Sequence, residues 1–235
     1  MKAAYRTDIG LVRPDNQDEA AIKEFSDGSL LVAVADGLSG QPLGDRAAAI
    51  AKQHILNFSP APSAIASQLA YLFHACDREI FQTSEKVLHD QEMGTTLTAA
   101  FIKSGTVYWA HAGDSRLYLW RGGILTQITA DDTPAAFLVG EGKLTKDEAR
   151  LHPARHGLFE CLGRGVLELQ SGEFAVRQGD LLLLTSDGLH GEISEDVIRS
   201  ILKFDLDLDG RVGQLINKAK EAGGSDNITA IGIEI

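Results

Sequence analysis

The sequence predicts an α+β layered fold: two largely antiparallel sheets packed face to face, with helices outside. Three observations carry this. Strand-like segments come in consecutive groups joined by tight Gly-containing turns, which suits antiparallel hairpins better than βαβ crossovers. A pair of helical segments follows each of the first two groups. Finally, "SLLVAVAD" (29–36) and "DLLLLTSD" (180–187) are nearly continuous apolar runs, as expected of strands buried in a core.

In chain order, "AAYRTDIG" (3–10), "EAAIKEF" (19–25) and "SLLVAVAD" (29–36) read as strands, with "SDG" as the hairpin turn between the last two. Helices follow over about 43–57 and 62–89. In the second, Ile65, Leu69, Leu72, Phe73, Cys76 and Ile80 recur at helical spacing and make one apolar face. "NFSPAPSA" (57–64), with its prolines and a serine at a candidate N-cap, reads as an inter-helix turn. Strands resume at 95–103, 106–113 and 115–121, with a short one over 122–129. Residues 131–165 are polar and read as two short helical pieces. Segments 168–176 and 180–187 are strands, helices over about 194–203 and 211–222 follow, and 227–235 is a last strand. No repeat, low-complexity tract or linker divides the chain, so 1–235 is expected to be a single domain. Strand order is left open.

At 235 residues with 44% apolar and 23% charged content, the chain can bury a substantial core. Its net charge of −11 disfavours nucleic acid and anionic membrane as partners, since both require a basic footprint. No apolar run approaches the ~18–20 residues needed to span a bilayer, and the N-terminus lacks a signal-peptide core. Cys76 and Cys161 are too few for a disulfide framework. A cytoplasmic location without membrane insertion is the expectation.

Five acids, Asp18, Asp36, Asp114, Asp187 and Asp226, sit where an apolar segment meets a turn. Asp and Gly are good turn formers, and for any one position that explanation suffices. For the set it is weaker, because "AVAD" and "LLLLTSD" place a carboxylate at the end of a core strand. Desolvating it there is costly unless it is paired or bound to a cation. No neighbouring Lys or Arg accompanies Asp36, Asp187 or Asp226. Adjacent glycines let backbone carbonyls and waters approach, and oxygen-only donors favour Mg²⁺ or Mn²⁺ over Zn²⁺.

The segments "RTDIGLVRPDNQD", "VADGLSGQPLGDRAA", "GTTLTAAFI", "AHAGDSRLYLWR", "LLLLTSDGL" and "GGSDNITAIGI" follow one another in an order that resembles metal-dependent serine/threonine protein phosphatases of the PPM/PP2C type. "LVGEGKLTKDEARLHPARHGL" is similar to the flap of the compact bacterial members, which makes 131–165 a flap-like segment. The resemblance covers Arg6 to Ile235. It implies a four-layer α-β-β-α sandwich, two mainly antiparallel sheets flanked by helix pairs, with a site at one edge for two Mn²⁺ or Mg²⁺ ions. By motif, Asp36 resembles the acid that bridges both metals, and Gly37 the glycine whose carbonyl binds the second. Asp187 and Asp226 resemble the remaining ligands of the first, and Asp114 the acid that helps bind a third, weaker ion. Asp18 looks like the acid that holds metal-bound waters, and Arg13 like the arginine that clamps substrate phosphate. The implied reaction is hydrolysis of phosphoserine and phosphothreonine by a metal-bridging water. The implied partners are phosphorylated proteins, with a cognate serine/threonine kinase acting in opposition. The alternative is a catalytically silent phosphoprotein-binding or scaffold domain on the same fold, although such members usually lose a ligand aspartate.

This chain departs from the family pattern in three places. Gln17 stands where many members have Glu, which implies a less tightly held second metal. Gln41, in "DGLSGQ", occupies the position of a histidine often proposed as general acid. "DDT" (131–133) replaces "DHS". Slower or more selective catalysis is the expected consequence.

Other candidates are weaker. Neither cysteine begins a Cys-x5-Arg loop, because Gln82 and Leu167 stand at the sixth positions, so cysteine catalysis is disfavoured. "DLDLDGRVGQLI" (205–216) places Asp205, Asp207, Asp209 and Gly210 as in a calcium loop. Ile216 stands where the bidentate Glu belongs, so an acidic turn between helices is expected. His111 reads as packed within a strand and His190 as exposed, while His152 and His156 fall in the flap-like segment. Trp109, Tyr118 and Trp120 read as strand packing.

Overall fold

Strand side chains alternate between faces, so the run from Leu30 sends Leu31, Ala33 and Ala35 one way and Leu30, Val32 and Val34 the other. Both sets are buried, which is why the run is apolar throughout. The computed structural model describes residues 1–38, 43–61, 63–88 and 93–235. The chain begins β1 (Lys2–Asp8), β2 (Asp18–Glu24), β3 (Leu30–Asp36), α1 (Gly44–Asn57), α2 (Ile65–Leu88). It continues β4 (Leu97–Lys103), β5 (Thr106–Ala112), β6 (Arg116–Arg121), β7 (Ile124–Gln127), α3 (Pro134–Gly140), α4 (Lys146–Leu151) and a 3-10 turn over Pro153–His156. It ends β8 (Gln170–Ala175), β9 (Leu181–Thr185), α5 (Asp187–His190), α6 (Glu195–Leu202), α7 (Leu208–Ala222) and β10 (Ile228–Glu234).

One sheet runs β1-β10-β9-β6-β7 and the other β2-β3-β4-β5-β8, with antiparallel neighbours throughout. Three buried clusters separate four layers. Leu31, Ala33, Leu97 and Phe101 pack under α1 and α2 with Ile55, Leu69 and Phe73. Val32, Val34, Leu182, Leu184 and Ile231 fill the space between the sheets. Leu181, Leu183 and Ala230 pack under α6 and α7 with Ile198, Val212 and Leu215. This is the expected four-layer α-β-β-α sandwich.

The structure corrects three local expectations. The strand over 180–187 stops at Thr185, and Asp187 opens the single-turn helix α5. Four residues are too few for a helical period to show in the sequence. The last helix starts at Leu208 because the Asp207 carboxylate accepts from the Gly210 amide at 2.8 Å and caps it. Of the calcium-like segment, residues 205–207 lie in the exposed turn between α6 and α7 as expected, whereas the part from Leu208 onward is already helix, and Asp209 pairs with Arg6. His190, expected to be exposed, is buried, with Nδ1 at 2.8 Å from the Thr185 hydroxyl. Two of the weaker readings hold: His111 is buried and Tyr118 lies in the core. Among the described residues no helix is long and apolar enough to cross a membrane.

Candidate metal centre

The two sheets meet at one edge, and the acids collect there. Asp18 opens β2 and Asp36 closes β3, so the antiparallel register sets them opposite each other. Asp187 follows β9 and Asp226 precedes β10, adjacent strands of the facing sheet. Asp114 lies in the connection from β5 to β6, the crossing between the sheets. Asp18 and Asp114 are buried, while Asp36, Asp187 and Asp226 keep part of their surface open to solvent.

Side chains and backbone groups that the sequence reading passed over stitch this edge together. The Ser186 hydroxyl donates to Asp18 Oδ2 at 2.7 Å, tying one sheet to the other, and accepts from the Thr229 amide at 2.9 Å. Asn227 accepts from the Gln17 amide at 2.8 Å and donates to the carbonyls of Ile9 and Asp15, at 3.0 and 2.8 Å. It thereby pins the 9–17 loop, which carries Arg13, against the start of β10. Gly188 is needed here rather than merely easing a turn: a Cβ would lie 2.0 Å from the Asn227 carbonyl oxygen. Gly37 is equally confined, 2.4 Å from the Gly44 carbonyl oxygen. Ser186 and Asn227 leave no sequence signal beyond polar residues beside core strands.

The electrostatics show carboxylates held together against their own repulsion. Burial, reinforced by Asp18, Asp187, Asp114 and Asp226, pushes the Asp36 carboxyl well above the usual range. Burial followed by Asp187 and Asp131 does the same to Asp114. Burial raises Asp18 to about 7 despite its hydrogen bonds with Thr229 and Ser186. Asp226 is raised by burial and by Asp187, and pulled back by Arg13, whose Nη2 lies 2.7 Å from Oδ2. Asp187 is the exception. Burial alone would raise it, but His156 of the flap-like segment, 3.7 Å away, together with His190 and Asp36, holds it below the usual value.

Among the described residues, no three His, Cys, Asp or Glu side chains are set closely enough to enclose an ion as they stand. Instead, Asp226 faces the Arg13 guanidinium and Asp187 the His156 ring. The donor set nevertheless fits a hard divalent cation. It is all oxygen, its charge is not balanced by the cations present, and two buried oxygens, Gln17 Oε1 and Asp18 Oδ1, have no hydrogen-bond partner. Ser39 and Gln41 lie outside the described residues.

The segment over 131–165 begins with a firm anchor, which explains "DDT". Asp131 receives both arms of Arg116, at 2.8 and 2.6 Å. Asp132 accepts from the Gly113 amide at 2.9 Å, and Thr133 caps α3. Arg150 of α4 reaches the Gly191 carbonyl at 3.0 Å. A cleft of about 560 Å³ runs between these helices and α5–α6, reaching Asp114, Asp187 and Asp226.

The family profile described as Protein phosphatase 2C matches residues 14–208. Over the whole chain, the protein is 34% identical to a serine/threonine phosphatase stp of Listeria monocytogenes, covering 96% of that protein. It is also similar to the crystal structure of the Mycobacterium tuberculosis serine/threonine phosphatase PstP/Ppp, with a TM-score of 0.89 and 34% identity, covering 100% of this chain and 98% of that one. A PstP catalytic domain solved in complex with two manganese ions superposes with a TM-score of 0.86 at 33% identity, covering 99% and 97%.

Proposed function

The chain belongs to the protein phosphatase 2C family, and on that premise we propose that it hydrolyses phosphoserine and phosphothreonine in proteins by direct attack of water, using two Mn²⁺ or Mg²⁺ ions. The observation that carries this is the convergence of Asp36, Asp187 and Asp226 from facing sheets beside Arg13, with carboxylate charge that the chain leaves largely unbalanced. Asp36, the Gly37 carbonyl, Asp187 and Asp226 would hold the pair, and Asp114 a third, weaker ion. When bound, such ions make water nucleophilic at neutral pH and offset charge on phosphoryl oxygens.

The chain's own residues do the rest. Arg13, now 2.7 Å from Asp226, would present a planar guanidinium to two phosphate oxygens. Asp18, fixed by Ser186, keeps Oδ1 available to accept a hydrogen bond from water. Gln17 places a neutral oxygen where a carboxylate would hold an ion more tightly. Segment 131–165 serves as a flap within one catalytic domain spanning 1–235. The substrates would be phosphorylated proteins of the cytoplasm, where kinases draw on ATP, with a serine/threonine kinase in opposition. The silent scaffold is the less favoured reading, since the sequence retains every expected acid.

The test is turnover of p-nitrophenyl phosphate and a phosphothreonine peptide. Activity should need Mn²⁺ or Mg²⁺, vanish with chelator and return on adding metal. Phosphopeptide binding without turnover in Mn²⁺ would establish the scaffold instead.

A further inference from the structure

Asp77, at the middle of α2, is buried among apolar residues, yet its carboxylate plays no part in the centre described above. A single oxygen, Oδ1, accepts from three successive backbone amides, those of Gly163 at 2.8 Å, Arg164 at 3.1 Å and Gly165 at 3.2 Å. Successive amides converging on one acceptor form an anion nest, and here the anion belongs to the protein. The nest closes the flap segment. Gly163, with φ +110°, has no room for a Cβ, which would lie 2.2 Å from the Met93 carbonyl oxygen.

From this loop a ladder of backbone bonds leads to the metal centre. Leu162 and Thr95 exchange hydrogen bonds, Leu162 N to Thr95 O at 2.9 Å and Thr95 N to Leu162 O at 3.2 Å. Thr95 in turn bridges Gly37, and its hydroxyl donates to the Asp36 carbonyl at 2.9 Å. The Thr96 amide donates to the same carbonyl at 2.9 Å, and the Leu38 amide to Gly94 O at 3.0 Å. Asp36 and Gly37 therefore rest on the 94–96 strand end, which rests on Leu162, which adjoins the loop that Asp77 holds.

We infer that Asp77 is a positioning residue for Asp36 and Gly37, acting through residues 162–165 and Thr95. This rests on the metal-centre reading of those two residues. Removing the carboxylate leaves three amides without their acceptor and releases the outer rung of the ladder. Groups that orient metal ligands typically change affinity by about 10–100-fold, and at this distance the lower end is expected.

The experiment is Mn²⁺ titration by calorimetry, well below the unfolding temperature, of the wild type, Asp77→Asn, Asp77→Ala and a core control, Ile198→Ala, in α6. Asp77→Ala should bind Mn²⁺ about tenfold more weakly, and its activity should need correspondingly more metal, with KM for phosphopeptide unchanged at saturation. Asp77→Asn, which keeps an oxygen at Oδ1, should bind nearly as the wild type. Ile198→Ala should lose thermal stability without losing affinity. If Asp77→Ala does not fold, Asp77→Ser, too short to reach all three amides, takes its place. Wild-type affinity in a folded Asp77→Ala or Asp77→Ser, or an equal loss in Ile198→Ala, overturns the inference. A wild type that binds no Mn²⁺ refutes the metal centre itself.

Discussion

Gly188→Ala adds one methyl group at the position where α5 meets the start of β10. That Cβ would lie 2.0 Å from the Asn227 carbonyl oxygen, 2.9 Å from its carbon and 3.3 Å from Asp226 Cβ. Real Cβ contacts essentially never fall below 3.0 Å, so α5 and the Asp226–Asn227 backbone must separate by about 1 Å. The obstacle is backbone on both sides, and no flexible side chain can swing away. Overpacking of this kind costs about 1–3 kcal/mol, which for a chain of this size lowers the thermal midpoint by on the order of 5 °C. The functional loss should be larger. Asp187 stands immediately before the substituted residue and Asp226 on the wall it strikes, and a misplacement of about 1 Å can cost on the order of a hundredfold in rate. The assay pairs kcat for Mn²⁺-dependent hydrolysis with thermal unfolding. Gly213→Ala, in the interior of α7 where a Cβ meets nothing within 4 Å, is the control and should gain up to about 1 kcal/mol. A Gly188→Ala enzyme with the wild-type midpoint would refute the packing argument. One that is destabilised yet fully active would refute the claim that this contact sets the spacing of Asp187 and Asp226.

Other predictions follow from the same site. Asp36→Asn removes the carboxylate most burdened by its neighbours, so the metal-free protein should melt at a higher temperature at pH 8 while Mn²⁺-dependent turnover falls by orders of magnitude; calorimetry and a kinetic assay read both. The pH dependence has a definite sign. Asp18 titrates at about 7 in the folded protein and near 4 when unfolded, so the folded state holds the extra proton between these values. Metal-free stability should therefore decline as pH rises from about 4 to 7, and saturating Mn²⁺ should reverse the trend; thermal midpoints across pH 5–8, with chelator and with metal, decide it. Arg13→Ala should weaken competitive inhibition by inorganic phosphate at least about tenfold, the worth of a charge-assisted hydrogen bond, with Arg13→Lys intermediate. Equal inhibition constants would remove Arg13 from phosphate binding.

Much of this molecule is written locally. The apolar runs that end in Asp36 and shortly before Asp187 declare two-faced burial, and the order of strand groups and helix pairs declares the layers, because hydrophobic periodicity is a property of short windows. The acids at strand ends stand out for the same reason: a carboxylate beside a core strand is anomalous wherever the chain goes next. What escaped are features without a local signature. Helix α5 spans a single turn, too short for a repeating pattern to show, and the burial of His190 depends on what packs over it. Gly188, Ser186 and Asn227 look like ordinary loop residues until a second segment is brought against them.

The sequence by itself determined the layered α+β class, most strand and helix segments to within a few residues, and the acids and arginine proposed to carry the chemistry. Only the tertiary structure decided that Asp18 and Asp36 are register partners, that Asp187 begins a helix instead of ending a strand, and that Asp77 gathers the backbone amides of residues 163–165. The division follows from range. Burial patterns are set by neighbours along the chain, whereas the charge balance of a carboxylate and the room for a methyl group depend on segments distant in sequence, such as Ser186 beside Asp18 and Asn227 beside Gly188.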